Sequence, residues 1–228
     1  MELIEDIEKI EKPFKNAVVT IGNFDGVHKG HQALFNKVKE EAGLISGTSI
    51  AITFEPHPLK VLGKKSPSLI TRKDQKFELI AQSGLDKLIC INFTKEFASL
   101  SAQDFIERLL IERIGMKAIV VGPDYSFGQN REGNLEFLIK AGEQKGFKVI
   151  VPDWVKDPDA SNGSDENRIS STMIRNLVMD GKVDETKRFL GRHYQIRGKV
   201  VKGRERGGSK LGFPTANIKL HDELCPKM

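Results

Sequence analysis

Short apolar runs alternate with segments whose apolar residues recur at helical spacing. The runs cover residues 17–21, 49–54, 87–91, 117–121 and 147–151, and each has the length of a strand. Several are apolar at consecutive positions, the pattern of strands covered on both faces in a parallel sheet. Between them, residues 31–41 carry Leu34, Phe35 and Val38 on one side. Ser101 with Asp104 opens a stripe of Phe105, Ile106, Leu109 and Leu110. Both segments read as helices, as does 132–145, ended near Gly146. Thr71 with Asp74 shares with Ser101 and Asp104 the spacing of a capping box. The polar, turn-rich stretch 157–167 reads as an exposed loop. Helices follow over 169–179 and 183–190, with a turn at Asp180 and Gly181. This order predicts an α/β fold: a Rossmann-like, doubly wound parallel sheet over residues 1–190, with the ligand crevice at the strand ends. At Gly191 the text changes to YQIRGKVVKG and then GGSKLGFPTANIKL, a β-rich unit with tight turns. Residues 191–228 are too few for a β-barrel, so this stretch reads as the truncated start of one.

Composition narrows the classes. The chain has 228 residues, 39% of them hydrophobic, with 13 Phe, which is enough for a sizeable core and excludes a disordered chain. Lys and Arg number 36 against 31 Asp and Glu, a formal charge of +5. That excess suits small anionic ligands, but it is dispersed, so no nucleic-acid partner is expected. Cys90 and Cys225 stand far apart and make no disulfide scaffold. No run approaches the roughly 20 apolar residues of a membrane span. The N-terminal MELIEDIEKIEK is acidic and has no signal core, so no membrane partner and a cytoplasmic location are expected. Oligomeric state is not legible.

Chemistry concentrates between the first strand and the first helix, in IGNFDGVHKGH at residues 21–31. Gly22, Gly26 and Gly30 permit tight turns and close backbone approach, and a helix N-terminus offers amides to phosphate. Neither a dinucleotide fingerprint nor a P-loop is present. His28 and His31 can both face a phosphate chain as donors or cations. They can equally be surface residues at a helix start, or metal ligands with Asp25 as the third donor. In RISSTMIR, residues 168–175, Ser170 or Ser171 is a natural N-cap, and the fork of Arg175 lies one turn on. In TFEPHP, Pro56 and Pro58 stiffen the chain around His57, and Phe54 can wall a flat ring. In VGPDYSFG, Asp124, Tyr125 and Phe127 end another strand, and the two rings can equally be core.

GNFDGVHKGH resembles the signature of the nucleotidyltransferase superfamily, and in this form it resembles that of the bacterial bifunctional riboflavin kinase/FAD synthetases. TFEPHP, VGPDYSFGQNREG and RISSTMIR match that family in order, and LGFPTANI at residues 211–218 is similar to the opening of its riboflavin kinase domain. The resemblance implies an FMN adenylyltransferase domain over 1–190, which joins ATP and FMN into FAD and pyrophosphate. It also implies the start of a riboflavin kinase over 191–228. The full-length protein would also phosphorylate riboflavin, whereas the kinase carboxylate lies beyond residue 228. It implies that Gly22, Asn23, Phe24 and Gly30 build the nucleotide loop, with Asp25 stabilising it. His28 and His31 would contact the α- and β-phosphates, and Ser171, Thr172 and Arg175 would clamp the leaving phosphates. Phe54, Pro56, His57 and Pro58 would shape the flavin side, and Asp124, Tyr125 and Phe127 would lie at the ligand edge. Mg²⁺ is expected on the ATP, with Asn23 or Asp124 as helper, and Thr215 and Asn217 at the kinase's Mg²⁺ site. Ser126 and Ser209 stand where the family often has Arg. Two alternatives remain: transfer to another phosphorylated acceptor, or a silent nucleotide- or flavin-binding module.

Overall fold

The protein, a computed structural model, is described over residues 1–157, 168–201, 217–219, 224 and 226. Its main sheet has six parallel strands in the order β1-β4-β3-β2-β5-β6. These are β1 (Glu2–Ile4), β2 (Ala17–Ile21), β3 (Ser49–Glu55), β4 (Lys87–Asn92), β5 (Met116–Val120) and β6 (Lys148–Ile150). From β2 the chain steps outward through β3 to β4, then returns to the other side of β2 for β5 and β6. The reversal leaves a crevice at the carboxyl end of β2, where open α/β sheets bind ligands. Alternation along β2 feeds both faces: Ala17, Val19 and Ile21 join one buried cluster and Val18 joins the other. Helix α1 (Lys29–Leu44) covers the second face with Phe35, Val38 and Ala42.

The five strands expected from periodicity are present within a few residues. β1 is an addition, since its acidic sequence hides a strand that pairs with β4 and sets Glu2 against Lys87 as an ion pair. Helix α2 (Pro58–Val61), a single turn, is a further addition. Three helix readings are corrected. Helix α3 (Lys73–Ala81) takes Arg72 as N-cap, whose backbone N–H donates to Gln75 Oε1 at 3.0 Å. Thr71 is drawn away from capping because its N–H and hydroxyl both donate to Asp25 Oδ1, at 3.0 and 3.2 Å. After α4 (Lys95–Ala98), Ser101 does cap α5 (Ala102–Asp104), accepting from Asp104 N at 3.0 Å. That helix widens into a π-helical stretch, Phe105–Arg113, which buries Phe105, Ile106 and Leu110. Helix α6 (Leu135–Lys145) begins three residues later than the apolar pattern suggested. Asn134 caps it, while Glu132 is engaged by Ala102 N at 2.7 Å and Gly133 bridges to Phe127.

Helices α7 (Ser171–Met179) and α8 (Val183–Leu190) close a third cluster of Ile70, Ile169, Ile174, Val178, Phe189, Leu190 and Leu224. Leu224 donates its N–H to Leu69 O at 2.8 Å, and its own carbonyl accepts from the Tyr194 hydroxyl. Most of the loop expected over 157–167 lies outside the described residues. Beyond α8, β7 (Lys199–Val201) and β8 (Asn217–Lys219) form an exposed antiparallel pair. No barrel is described there.

Candidate active site

The loop from β2 to α1 is built from backbone that few residues adopt. Phe24, Gly26 and Val27 have φ of 50°, 84° and 40°, in the left-handed region. Only Gly26 does so without steric cost. The Phe24 ring does not line the crevice. It is 2% exposed and packs edge-on to Phe35 and His31, at 4.9 and 5.3 Å between centroids. Asn23 is exposed, Gly22 donates to Ile52 O at 3.1 Å, and Thr53 Oγ1 donates to Asn23 O at 3.3 Å.

Asp25 is the anchor. Its carboxylate accepts from the backbone N–H of Ile70 and Thr71 at 3.0 Å, from the Thr71 hydroxyl, and from Arg175 Nη2 at 2.7 Å. Both members of the Asp25–Arg175 pair are largely buried. Arg175 Nε also donates to Ser68 O at 2.9 Å. A carboxylate so fully engaged holds the loop.

His28 is the N-cap of α1, and its Nδ1 accepts from His31 N at 3.4 Å. The proton of a neutral His28 therefore sits on Nε2. The two imidazoles are stacked, with centroids 3.6 Å apart and planes 21° apart. Gly30 makes this possible, because a Cβ there would lie 3.0 Å from the His28 ring. Burial pushes the His28 pKa down to about 4. The charges of Arg175 and Arg192 push the same way and Asp25 opposes them. Burial also holds His31 well below the ordinary histidine value, helped by His28 and Lys76. Of the two states left open by the sequence, donor or cation, burial favours the neutral donor form of both rings. Among the described side chains, His31 Nδ1 is one of few buried polar atoms with no hydrogen-bond partner.

Helix α7 meets this loop at its N-terminus. Ser170 caps it, accepting from Met173 N at 3.2 Å. Ser171 Oγ donates to Asp25 O at 2.8 Å, and Thr172 is exposed. A Cβ on Gly30 would be 3.5 Å from Ile169 O, so the start of α1 and the approach to α7 are in contact. The two separately read motifs meet here.

TFEPHP borders it. His57 caps α2, its Nδ1 accepting from Leu59 N at 3.2 Å. Burial lowers its pKa, and the charges of Asp25, Arg175, Lys76 and Glu55 all reach it. The Glu55–Pro56 bond is cis, and Pro56 is exposed beside half-buried Pro58. Buried Lys76 on α3 pairs with Glu55 at 2.9 Å and donates to Phe54 O. From Phe54 a row of rings crosses the strand ends: Phe97, Phe105, Phe127 and Tyr125, with successive centroids 5.9, 6.2, 5.6 and 5.3 Å apart. Phe127 is core. Tyr125 stacks on it and has a buried hydroxyl without a partner, so burial alone raises its pKa. Asp124 is exposed and paired with Arg168 at 3.0 Å, which lies over the Trp154 ring.

The metal readings fare differently. Among the described residues no three His, Cys, Asp or Glu side chains are grouped to hold an ion. His28, His31 and Asp25 therefore do not make a metal centre. Thr215 lies outside the described residues, and Asn217 begins exposed β8. Sequence reasoning missed Lys76, Gln32 and Arg192, and read Thr71 only as a helix cap. Lys76 could have been found by its helical phase with buried Ile80, four residues on. Arg192 lies beyond the expected domain edge and gave no signal.

A family model described as FAD synthetase matches residues 10–173, and one described as riboflavin kinase matches residues 190–228. The chain is 38% identical over 225 residues to the bifunctional riboflavin kinase/FMN adenylyltransferase of Buchnera aphidicola subsp. Schizaphis graminum, covering 98% of this chain and 70% of that one. It is 37% identical over 228 residues to the protein of that name from Escherichia coli (strain K12), covering 99% of this chain and 70% of the relative. Among solved structures, a crystal structure from Streptococcus pneumoniae described as a macrolide-efflux protein is similar, with a TM-score of 0.81 and 32% identity over 98% of this chain and 70% of its own. In the described residues no helix is long and apolar enough to cross a membrane.

Proposed function

The chain belongs to the family of bacterial bifunctional riboflavin kinase/FMN adenylyltransferases, and from that membership we propose that FAD is made from ATP and FMN at the loop between β2 and α1. A phosphate oxygen of FMN attacks the α-phosphorus of ATP. The new P–O bond forms as the bond from that phosphorus to the β-phosphate bridging oxygen breaks, and pyrophosphate leaves. FMN phosphate is anionic at neutral pH and needs no strong base, so the protein's part is positioning and charge stabilisation.

The observation that carries this reading is the convergence of His28, His31, Ser171 and Arg175 around Asp25. Neutral His28 donates from Nε2 to a phosphate oxygen, and His31 takes up its missing partner there. Binding of the polyanion raises both pKa values, so the rings gain positive character as the pentavalent state forms. Backbone N–H groups of Asn23, Phe24 and Gly30 cradle the nucleotide, and Gly22, whose own N–H is held by Ile52 O, lets the chain approach it closely. Thr172 and the first turn of α7 receive the leaving pyrophosphate, with Ser171 and Arg175 bracing the loop from behind. Phe54, Pro56, His57 and Pro58 line the flavin side, with Asp124 at its rim. The Tyr125 hydroxyl reaches the flavin, and Phe127 backs it. Mg²⁺ brought with ATP would supply counter-charge to the phosphates, with exposed Asn23 as the nearby residue that would help hold it. ATP and FMN as substrates suit a cytoplasmic reaction.

Residues 1–190 form the adenylyltransferase unit in this reading. Residues 191–228 begin a riboflavin kinase unit with Thr215 and Asn217 toward its Mg²⁺–ATP, a linked activity of full-length relatives. The test supplies FMN, ATP and Mg²⁺ and follows FAD and pyrophosphate by chromatography. Equimolar formation of both is expected. Binding of FMN and ATP without product would leave a silent flavin-binding module instead.

A further inference from the structure

The Gly26–Val27 backbone is held where Val27 resists it. A β-branched residue at φ 40° is an outlier that persists only when its surroundings over-determine it. Asp25 fixes the loop on one side through Ile70, Thr71 and Arg175. The other side is fixed from beyond α8. Arg192 Nη2 donates to Gly26 O at 2.7 Å, and its Nη1 lies 3.4 Å from Val27 O and 3.3 Å from Leu190 O. Gln32, in the first turns of α1, donates to the same Val27 and Leu190 carbonyls at 2.9 and 3.1 Å. Gly191, left-handed at φ 73°, turns the chain so that Arg192 enters the loop. Arg192 is partly buried there, on the connector that runs toward β7.

We propose that Arg192 is a positioning residue for adenylyl transfer: from the connector it grips the Gly26 and Val27 carbonyls and sets its charge beside His28, which makes the connector part of the site. This rests on the reading of the preceding subsection. Among the described residues, the charged and titratable groups around the histidines are Asp25 in the loop, Arg175 on α7, Arg192 on the connector and the two stacked rings themselves. Lys76 on α3 faces His31, and His57 at the head of α2 shares the charges of Asp25 and Arg175.

The test compares the whole chain with its Arg192→Gln and Arg192→Lys variants in two measurements. In the FAD assay, Arg192→Gln lowers kcat about tenfold, with KM for FMN within about twofold. In a nucleotide-free titration of the His28 ring by NMR, Arg192→Gln moves its pKa up by about half a unit. Arg192→Lys keeps the charge but not the two-pronged grip, so it restores the low His28 titration and only part of kcat. An unchanged kcat in Arg192→Gln overturns the proposal. So does a fall in kcat with an unmoved His28 titration, which marks a brace of general stability. Should Arg192→Gln not fold, Arg192→Lys decides the matter: wild-type kcat in that variant overturns the proposal. A wild-type chain that makes no FAD defeats the functional reading, while the His28 titration still tests where Arg192 acts.

Discussion

The rings of His28 and His31 lie face to face, 3.6 Å apart at their centroids, and the His28 ring caps the backbone N–H of His31. Stacking neutral imidazoles one turn apart fixes both orientations before any substrate arrives. His31→Ala should therefore lower kcat about 100-fold while the fold is retained. Steady-state FAD formation alongside a thermal melt checks this. Undiminished turnover would remove His31 from the chemistry.

Their depressed pKa values carry a stability consequence of definite sign. His28 binds a proton near pH 6.5 when unfolded but only near 4 when folded. Between those values the unfolded state holds more protons, so stability is full above about 6.5 and falls as pH drops toward 4. The loss from His28 is on the order of 3 kcal/mol, and His31 adds to it with the same sign. His28→Asn keeps a capping oxygen and should flatten the slope. Urea unfolding at pH 7 and pH 4.5 measures the difference.

Asp25 and Arg175 form a buried pair, and removing one partner strands the other. Asp25→Asn and Arg175→Met should each cost about 3 kcal/mol. The double variant should cost less than the sum, by about 2 kcal/mol. Equilibrium unfolding of the four proteins closes the cycle, and strict additivity would mean that the pair contributes no coupling.

The Tyr125 hydroxyl separates stability from function. Buried without a partner, it costs the fold, so Tyr125→Phe should stabilise the free protein by about 1 kcal/mol. The same change should raise KM for FMN about fivefold, the equivalent of one hydrogen bond. A melting curve and a substrate titration on one preparation test both halves. An unchanged KM would place the hydroxyl away from the flavin.

The parallel sheet was legible because buried strands such as 17–21 and 49–55 are apolar at successive positions and have no other use for that pattern. β1 was not, since its partner β4 lies more than eighty residues away and its own three residues include Glu2. The H-x-G-H loop announced its chemistry through rare residue types at fixed spacing. The protonation state did not show, because it depends on burial created by α7, α3 and the connector. Asp25 reads in sequence either as a possible ligand or as a brace of its loop, and its four donors fit the brace. Phe127 and Tyr125 look alike in the sequence. Packing against Phe105 made one core, and a stranded hydroxyl marked the other.

Leu224 sits in the same apolar cluster as Ile70, Ile174 and Leu190, stitched to Leu69 and Tyr194. A gene trimmed after residue 190 to express the α/β half alone would bare that cluster and discard the side chain bridging Gly26 and Val27. Whoever shortens this protein should place the scissors elsewhere, or graft apolar and basic substitutes for what the excised strip supplies.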